Sequence, residues 1–256
     1  MNEMKRILSF VRRAVDDYQM IDEGDRIAVG VSAGKDSLTL LAALAMLSRF
    51  YPKKFTVVGI TVDMGFPGAD FSSIREFCDR LGVEYHVIPT EIAHIIFDVR
   101  KESNPCSLCA KMRRGSLHAA AKEAGCNKLA LGHHFDDAVE TFMMNLFFEG
   151  RLGCFSAVTY LSRRDLTMIR PLIYAQEKDI VYFTGRQHLP VIQSPCPEDH
   201  ATERENTKNL LKQLEKDNKG LRHRIFHAMC RHDIDGYKER RYPDAGELPE
   251  ENTEDM

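Results

Sequence analysis

No apolar run in this 256-residue chain is long enough to cross a bilayer. The longest, Leu38–Leu47, falls well short of the roughly 20 residues a spanning helix needs. Met1–Phe10 is charged and lacks the apolar core of a secretory leader, so a cytoplasmic location is expected. The chain has no excess of positive charge: its formal net charge is −3, and any nucleic-acid site must be a local patch. Disulfide spacing is absent too. The cysteines number seven, an odd count, and such thiols in a reducing compartment are buried, metal-ligating or catalytic. The single C-x-x-C has no second copy, which disfavours a standard four-ligand zinc site. Nothing repeats at a fixed period, and the only biased segment is the acidic tail Glu247–Asp255, expected to be disordered.

What is present is a core-forming apolar fraction of 43% and a regular alternation of patterns. Met4–Tyr18 places Ile7, Phe10, Val11 and Ala14 on one helical face. Strands are expected at Asp25–Val31, Phe55–Val62, Val83–Ile88, Lys128–Leu131 and Leu166–Ile173, with a short one near Val191. Helices are expected at Leu38–Phe50, Asp70–Leu81, Leu108–Ala124, Asp136–Phe148 and Glu177–His188, and Pro89–Pro105 reads as irregular. Strands alternating with helices predict an α/β fold with a mainly parallel sheet, whose ligands bind beyond the carboxyl ends of the strands. The expected organisation is an N-terminal helix (1–24), a main domain (25–200), a basic helical extension (201–240) and the acidic tail (241–256).

Chemistry-bearing residues stand where that rule looks for them. After the first strand, Ser32, Ala33, Gly34, Lys35, Asp36 and Ser37 form a small-residue turn before a helix. Successive N–H groups, two hydroxyls and an ammonium suit a phosphate, although the Walker spacing G-x-x-x-x-G-K-S/T is missing. An ordinary capped turn is the plainer alternative. Asp63 ends the second strand and either caps its loop or faces the ligand crevice as a Mg²⁺-holding or reacting carboxylate. Cys106 and Cys109 form the C-x-x-C, and Cys196, between Pro195 and Pro197, is the best third thiol. From spacing alone an iron–sulfur cluster, a zinc ion and a redox dithiol compete. Cys78, Cys126, Cys154 and Cys230 read as buried thiols. His133, His134, Asp136 and Asp137 follow the fourth strand and open a helix. Basic residues cluster at Arg100, Lys101, Lys111, Arg113 and Arg114, and again from Arg204 through Arg231; each group suits an RNA backbone or a solvated helix face.

Several of these segments resemble a known family. SAGKDS (32–37) is similar to the SGGxDS loop of the PP-loop ATP pyrophosphatases, with Ala33 in place of a glycine, a change compatible with a negative φ. PCSLCAKMRRG resembles the central motif of the tRNA 2-thiocytidine synthetases, and Lys5–Leu41, Ala130–Thr141 and Arg170–Ile180 resemble other parts of that family, so the likeness covers roughly Met4–Pro197. It implies a Rossmann-like PP-loop fold in which Ser32–Ser37, His133 and His134 line an ATP site. Asp136 or Asp137 would serve Mg²⁺ or the chemistry, and Arg113 the activated substrate. By the same likeness Cys106, Cys109 and Cys196 would hold a 4Fe–4S cluster.

The activity so implied is adenylation of the C2 carbonyl of a tRNA cytidine, followed by replacement of oxygen by sulfur. A cysteine desulfurase would supply the sulfur, and homodimers are common among relatives. The alternatives are a PP-loop enzyme acting on another RNA base, such as 2-thiouridine, and a nucleotide-binding iron–sulfur sensor without catalysis. Pro197–Thr207 departs from the family pattern after the third cysteine.

Overall fold

The computed structural model describes residues 3–100, 105–193, 196 and 203–238. Six strands form one sheet: β1 (Asp25–Gly30), β2 (Phe55–Asp63), β3 (Glu84–Pro89), β4 (Lys128–Ala130), β5 (Val158–Leu161) and β6 (Leu166–Ile169), in the order β3-β2-β1-β4-β6-β5. All neighbours pair parallel except β5, which lies antiparallel on β6. The helices are α1 (Glu3–Asp17), α2 (Lys35–Leu47), α3 (Ser72–Leu81), α4 (Pro105–Glu123), α5 (Phe135–Glu149), α6 (Glu177–Gln187), α7 (Glu203–Asp217) and α8 (Leu221–Arg231). Strand order reverses between β1 and β4, so the turns after β1 and β4 flank one crevice.

The two faces of the sheet follow from side-chain alternation along β1. Ile27 and Val29 enter the larger core with α1, α2, α3 and α6, while Ala28 enters a smaller one beneath α4, against Val58, Ala121 and Leu129. α2 is apolar all round because α1 and α6 cover what the sheet does not, and Leu38, Leu40, Leu41 and Leu44 are fully buried. Each such side chain contributes about 1.5–3 kcal/mol of burial free energy. α7 and α8, expected as an appended extension, join the main core through Leu211, Phe226 and Met229, and the Tyr237 ring that follows is wholly buried.

Several boundaries differ from the sequence expectation. α2 starts at Lys35, so Lys35, Asp36 and Ser37 form its first turn. α4 starts at Pro105, a residue suited to a first helical position, and the C-x-x-C therefore lies on a helix. β6 ends at Ile169 because Pro171 has no N–H for the ladder; Arg170 to Ala175 form turns instead, with Ala175 N–H donating to Leu172 O (2.8 Å). The hairpin strand β5 was not anticipated. Val191 forms no strand; its neighbour Ile192 donates its N–H to Ala33 O (3.0 Å). His94–Arg100, within the expected irregular stretch, is a π-helix. Lys101, Pro195, Pro197 and the acidic tail lie outside the described residues.

Candidate active site

The turn after β1 is held in shape by its own hydroxyls. Ser32 N–H and Oγ both approach Ser37 Oγ (3.1 and 3.2 Å), which donates to Gly34 O (3.0 Å). Gly34 caps α2 with extended backbone and no side-chain acceptor, so the first N–H groups of the helix are left for a ligand. Ala33 has φ of +65°, against the negative value its methyl favours. The strain is retained because Ala33 is buried and its carbonyl accepts from Ile192.

Lys35 sits between two carboxylates, Asp36 Oδ2 (3.0 Å) and Glu177 Oε1 (3.3 Å). Burial works against its charge, but Asp36 and Glu177 outweigh it and raise its pKa. Glu177, in the first turn of α6, also receives Lys208 of α7 (2.8 Å). Burial opposes ionisation of Glu177 as well, yet Lys208 and Lys35 bring its pKa down to about 2. Neither Glu177 nor Lys208 stood out as a site residue in the sequence.

The second turn meets the first at Gly132. A Cβ there would lie 3.1 Å from backbone atoms of Asp36 and Ser37, so a side chain would push the two turns apart by a few tenths of an ångström. His134 caps α5 in a reciprocal arrangement: its N–H donates to Asp137 Oδ2 (2.9 Å), and Asp137 N–H donates to its Nδ1 (3.5 Å). With Nδ1 turned to that N–H, Nε2 faces Asp137 Oδ2 (3.4 Å) and Asp36 Oδ1 (3.6 Å). Asp36 Oδ1 is buried without a hydrogen-bond partner among the described residues, the kind of oxygen that a cation can claim. His133 stacks on Phe155 (4.8 Å between centroids), whose ring also carries the Arg170 guanidinium (4.9 Å). Burial, reinforced by Arg170, pushes His133 down to about 4, so the ring is neutral at physiological pH.

The two aspartates of α5 are placed differently. Asp136 is a fastener: Oδ2 accepts the Glu177 N–H (2.7 Å) and Oδ1 pairs with Arg222 of α8 (2.6 Å), which also reaches Glu140 (3.4 Å). Asp137 closes the cap of α5, pairs with Arg204 (3.2 Å) and stays beside His134. Asp63 Oδ1 accepts the Gly65 N–H (2.9 Å), the loop-capping role weighed from the sequence, while the next residue, Met64, lines the cysteine recess.

Three thiols meet in that recess. Cys106, Cys109 and Cys196 share it with Met64, Phe66, Ala93, Ile96, Phe97 and Pro105, an otherwise apolar lining. Cys106 and Cys109 are three apart on α4 and therefore share a face. Burial raises the Cys109 thiol; Arg113, one turn further along α4, lowers it, and Cys196 and Cys106 raise it. Among the described residues no three His, Cys, Asp or Glu side chains gather tightly enough for a single metal ion. A multi-iron cluster binds each thiolate through a different iron, and its cysteines stand further apart, so soft sulfur donors around an apolar recess fit that group. The other cysteines are elsewhere: burial pushes Cys78 up to about 12 and Cys154 up to about 11, Cys126 is raised likewise, and Cys230 is buried.

The chain is similar to known proteins over most of its length. A family described as a PP-loop domain matches residues 5–215. A tRNA-cytidine(32) 2-sulfurtransferase of Pelobacter propionicus is 43% identical over 228 residues, covering 88% of this chain and 85% of that protein. The protein of that name from Geobacter sulfurreducens is 40% identical over 228 residues, covering 88% and 89%. The solved structure of the U34-tRNA thiolase NcsA from Methanococcus maripaludis, with its 4Fe–4S cluster, has a TM-score of 0.74 at 26% identity and covers 87% of this chain and 76% of that one. No helix among the described residues is long and apolar enough to cross a membrane.

Proposed function

The chain belongs to the PP-loop family and groups with the tRNA-cytidine(32) 2-sulfurtransferases, and from that premise we propose that it is an ATP-dependent enzyme that thiolates C2 of a tRNA cytidine. The observation that carries this reading is the gathering of Cys106, Cys109 and Cys196 at one recess, in a fold whose PP-loop turn faces the turn after β4.

The first half-reaction needs a phosphate cradle. The free N–H groups at the start of α2, the Ser32 and Ser37 hydroxyls and Lys35 hold the ATP phosphates, and Ala33 and Gly34 shape the turn. Asp36 Oδ1, lacking a hydrogen bond, is the oxygen offered to the Mg²⁺ that accompanies ATP. Neutral His133 borders the nucleotide without adding charge, and His134 lies beside it. The cytidine C2 carbonyl oxygen attacks the α-phosphate and pyrophosphate leaves; the charge that develops there is met by Lys35 and the α2 N-terminus. Asp137 and Asp63 are the carboxylates placed to steer the base, and Arg113 neutralises the adenylated product. Hydrogen sulfide anion then adds at C2, AMP departs with the former carbonyl oxygen, and the sulfur proton is released.

Cys106, Cys109 and Cys196 would hold a 4Fe–4S cluster, which when bound supplies an iron without a protein thiolate, matched to sulfide. The reading carries with it a cysteine desulfurase as sulfur source, a cytoplasmic location and a homodimer.

The test uses anaerobically reconstituted protein with unmodified tRNA, ATP, Mg²⁺ and sulfide, followed by nucleoside mass spectrometry. ATP-dependent 2-thiocytidine is expected. A different thionucleoside would move the substrate to another base, and none at all, with cluster and ATP bound, would sink the enzymatic reading.

A further inference from the structure

The sequence offers two basic stretches for an RNA backbone, and the structure separates them. The cations of α7 and α8 that point inward are engaged: Arg204 with Asp137, Lys208 with Glu177, and Arg222 with Asp136 and Glu140. Acidic neighbours, Glu203, Glu205 and Asp217, share the outer face of α7 with its exposed lysines. The other face differs. Arg113 and Arg114 on α4, and Arg163 and Arg164 in the turn between β5 and β6, are all exposed, and none has a carboxylate partner among the described residues.

These arginines form one surface. Lys122, near the end of α4, donates to the Asp165 carbonyl (3.0 Å) and nears its carboxylate (3.5 Å), which ties the β5–β6 turn to the helix. Arg114, His118 and Lys122 recur every four residues along α4 and so share a stripe. Burial lowers the pKa of His118, in the middle, and the charges of Arg114 and Arg164 lower it further. From Arg114 to Lys122 the stripe runs about 12 Å at 1.5 Å per residue, and Arg113, one turn along α4 from Cys109, joins its start to the cysteine recess. A chain of net charge −3 thus concentrates uncompensated guanidinium on a surface that starts at the cysteine recess. Exposed, unpaired guanidiniums on rigid elements suit polyanion phosphates.

We propose that the α4 stripe and the β5–β6 turn form the docking face for the phosphate backbone of the substrate RNA, leading the reacting base to the cysteine recess. This rests on the reading of the substrate as an RNA. Contacts of this kind position the RNA without reading its sequence.

The test compares wild type, Arg163→Gln/Arg164→Gln and Arg114→Gln with a triple Lys212→Gln/Lys216→Gln/Lys219→Gln control on the exposed face of α7 and the turn that follows it. Unmodified tRNA affinity is measured across a salt series, with Tm and cluster absorbance to establish folding. The double arginine variant is expected to bind more weakly, with the slope of log affinity against log salt reduced by roughly 1.4–1.8. Arg114→Gln should lose about half of that, and the lysine variant should retain the wild-type slope. An unchanged slope in the arginine variants, or a loss confined to the lysine variant, would overturn the proposal. A wild-type protein that binds tRNA through these arginines yet forms no thionucleoside would overturn the sulfurtransferase reading and leave this face standing.

Discussion

Glu177→Gln is the substitution whose consequences the structure fixes most closely. Glu177 bridges Lys35 of the turn after β1 (3.3 Å) and Lys208 of α7 (2.8 Å), and those cations bring its pKa from 4.5 to about 2. A depression of that size corresponds to about 3 kcal/mol of folded-state stabilisation at pH 7. Partial solvent screening of a side chain that is 24% exposed makes this an upper figure. The sign is that of a carboxylate with a lowered folded pKa. Its contribution is complete above about pH 4.5 and is lost as pH falls toward about 2. At pH 3.5 the wild type should already have lost about 1.4 kcal/mol of it, while glutamine has nothing to titrate. Urea unfolding of both proteins at pH 7 and 3.5 checks this: the deficit of Glu177→Gln should shrink by about that amount at the lower pH. An equal deficit at both pH values would refute the ion-pair account and leave a packing defect in its place. In the same variant Lys35 keeps Asp36 but loses its second anchor, so KM for ATP should rise more than kcat falls.

Cys106→Ala, Cys109→Ala and Cys196→Ala should each abolish cluster absorbance and thiolation, whereas Cys78→Ala, Cys126→Ala, Cys154→Ala and Cys230→Ala should keep the cluster; iron and sulfide content per chain decides the matter. Asp136→Asn should cost about 3–5 kcal/mol in chemical denaturation, because the half-buried Arg222 loses its main counter-charge. Asp137→Asn should cost much less stability and more turnover, and the reverse ranking would exchange the roles given to the two aspartates. Ala33→Gly should change stability by less than about 1 kcal/mol, since relief of the +65° strain is offset by the lost methyl burial and a more flexible unfolded chain. Ala33→Val, with a β-branch at that φ, should lower Tm clearly in a thermal melt.

The parallel sheet was legible because its strands are buried on both faces and read as apolar runs between helical patterns; β1, β2, β3 and β4 lie where those runs fall. β5 escaped because an edge strand is only half covered: its residues Val158–Leu161 are intermediate or exposed, with no clean alternation. α2 and α4 start earlier than expected, since a small-residue turn and a C-x-x-C read as loops although their backbones already follow the helix. The residues expected around ATP stand in order along the chain, in the turns after β1 and β4, and the structure brings Asp36 and His134 of those two turns together.

What the sequence by itself determined is local and periodic: the alternation of strands and helices, the small-residue turn at 32–37, and the pairing of Cys106 with Cys109 by helical spacing. Tertiary structure alone decided which distant charges meet. Glu177 joins Lys35 to Lys208, Asp136 joins α6 to Arg222 across 86 positions, and the charges of Arg114 and Arg164 both act on His118. An ion pair between residues so far apart leaves no periodic trace in the chain. It exists only once strand order has brought the carboxyl ends of β1 and β4 together and the C-terminal helices have closed over them.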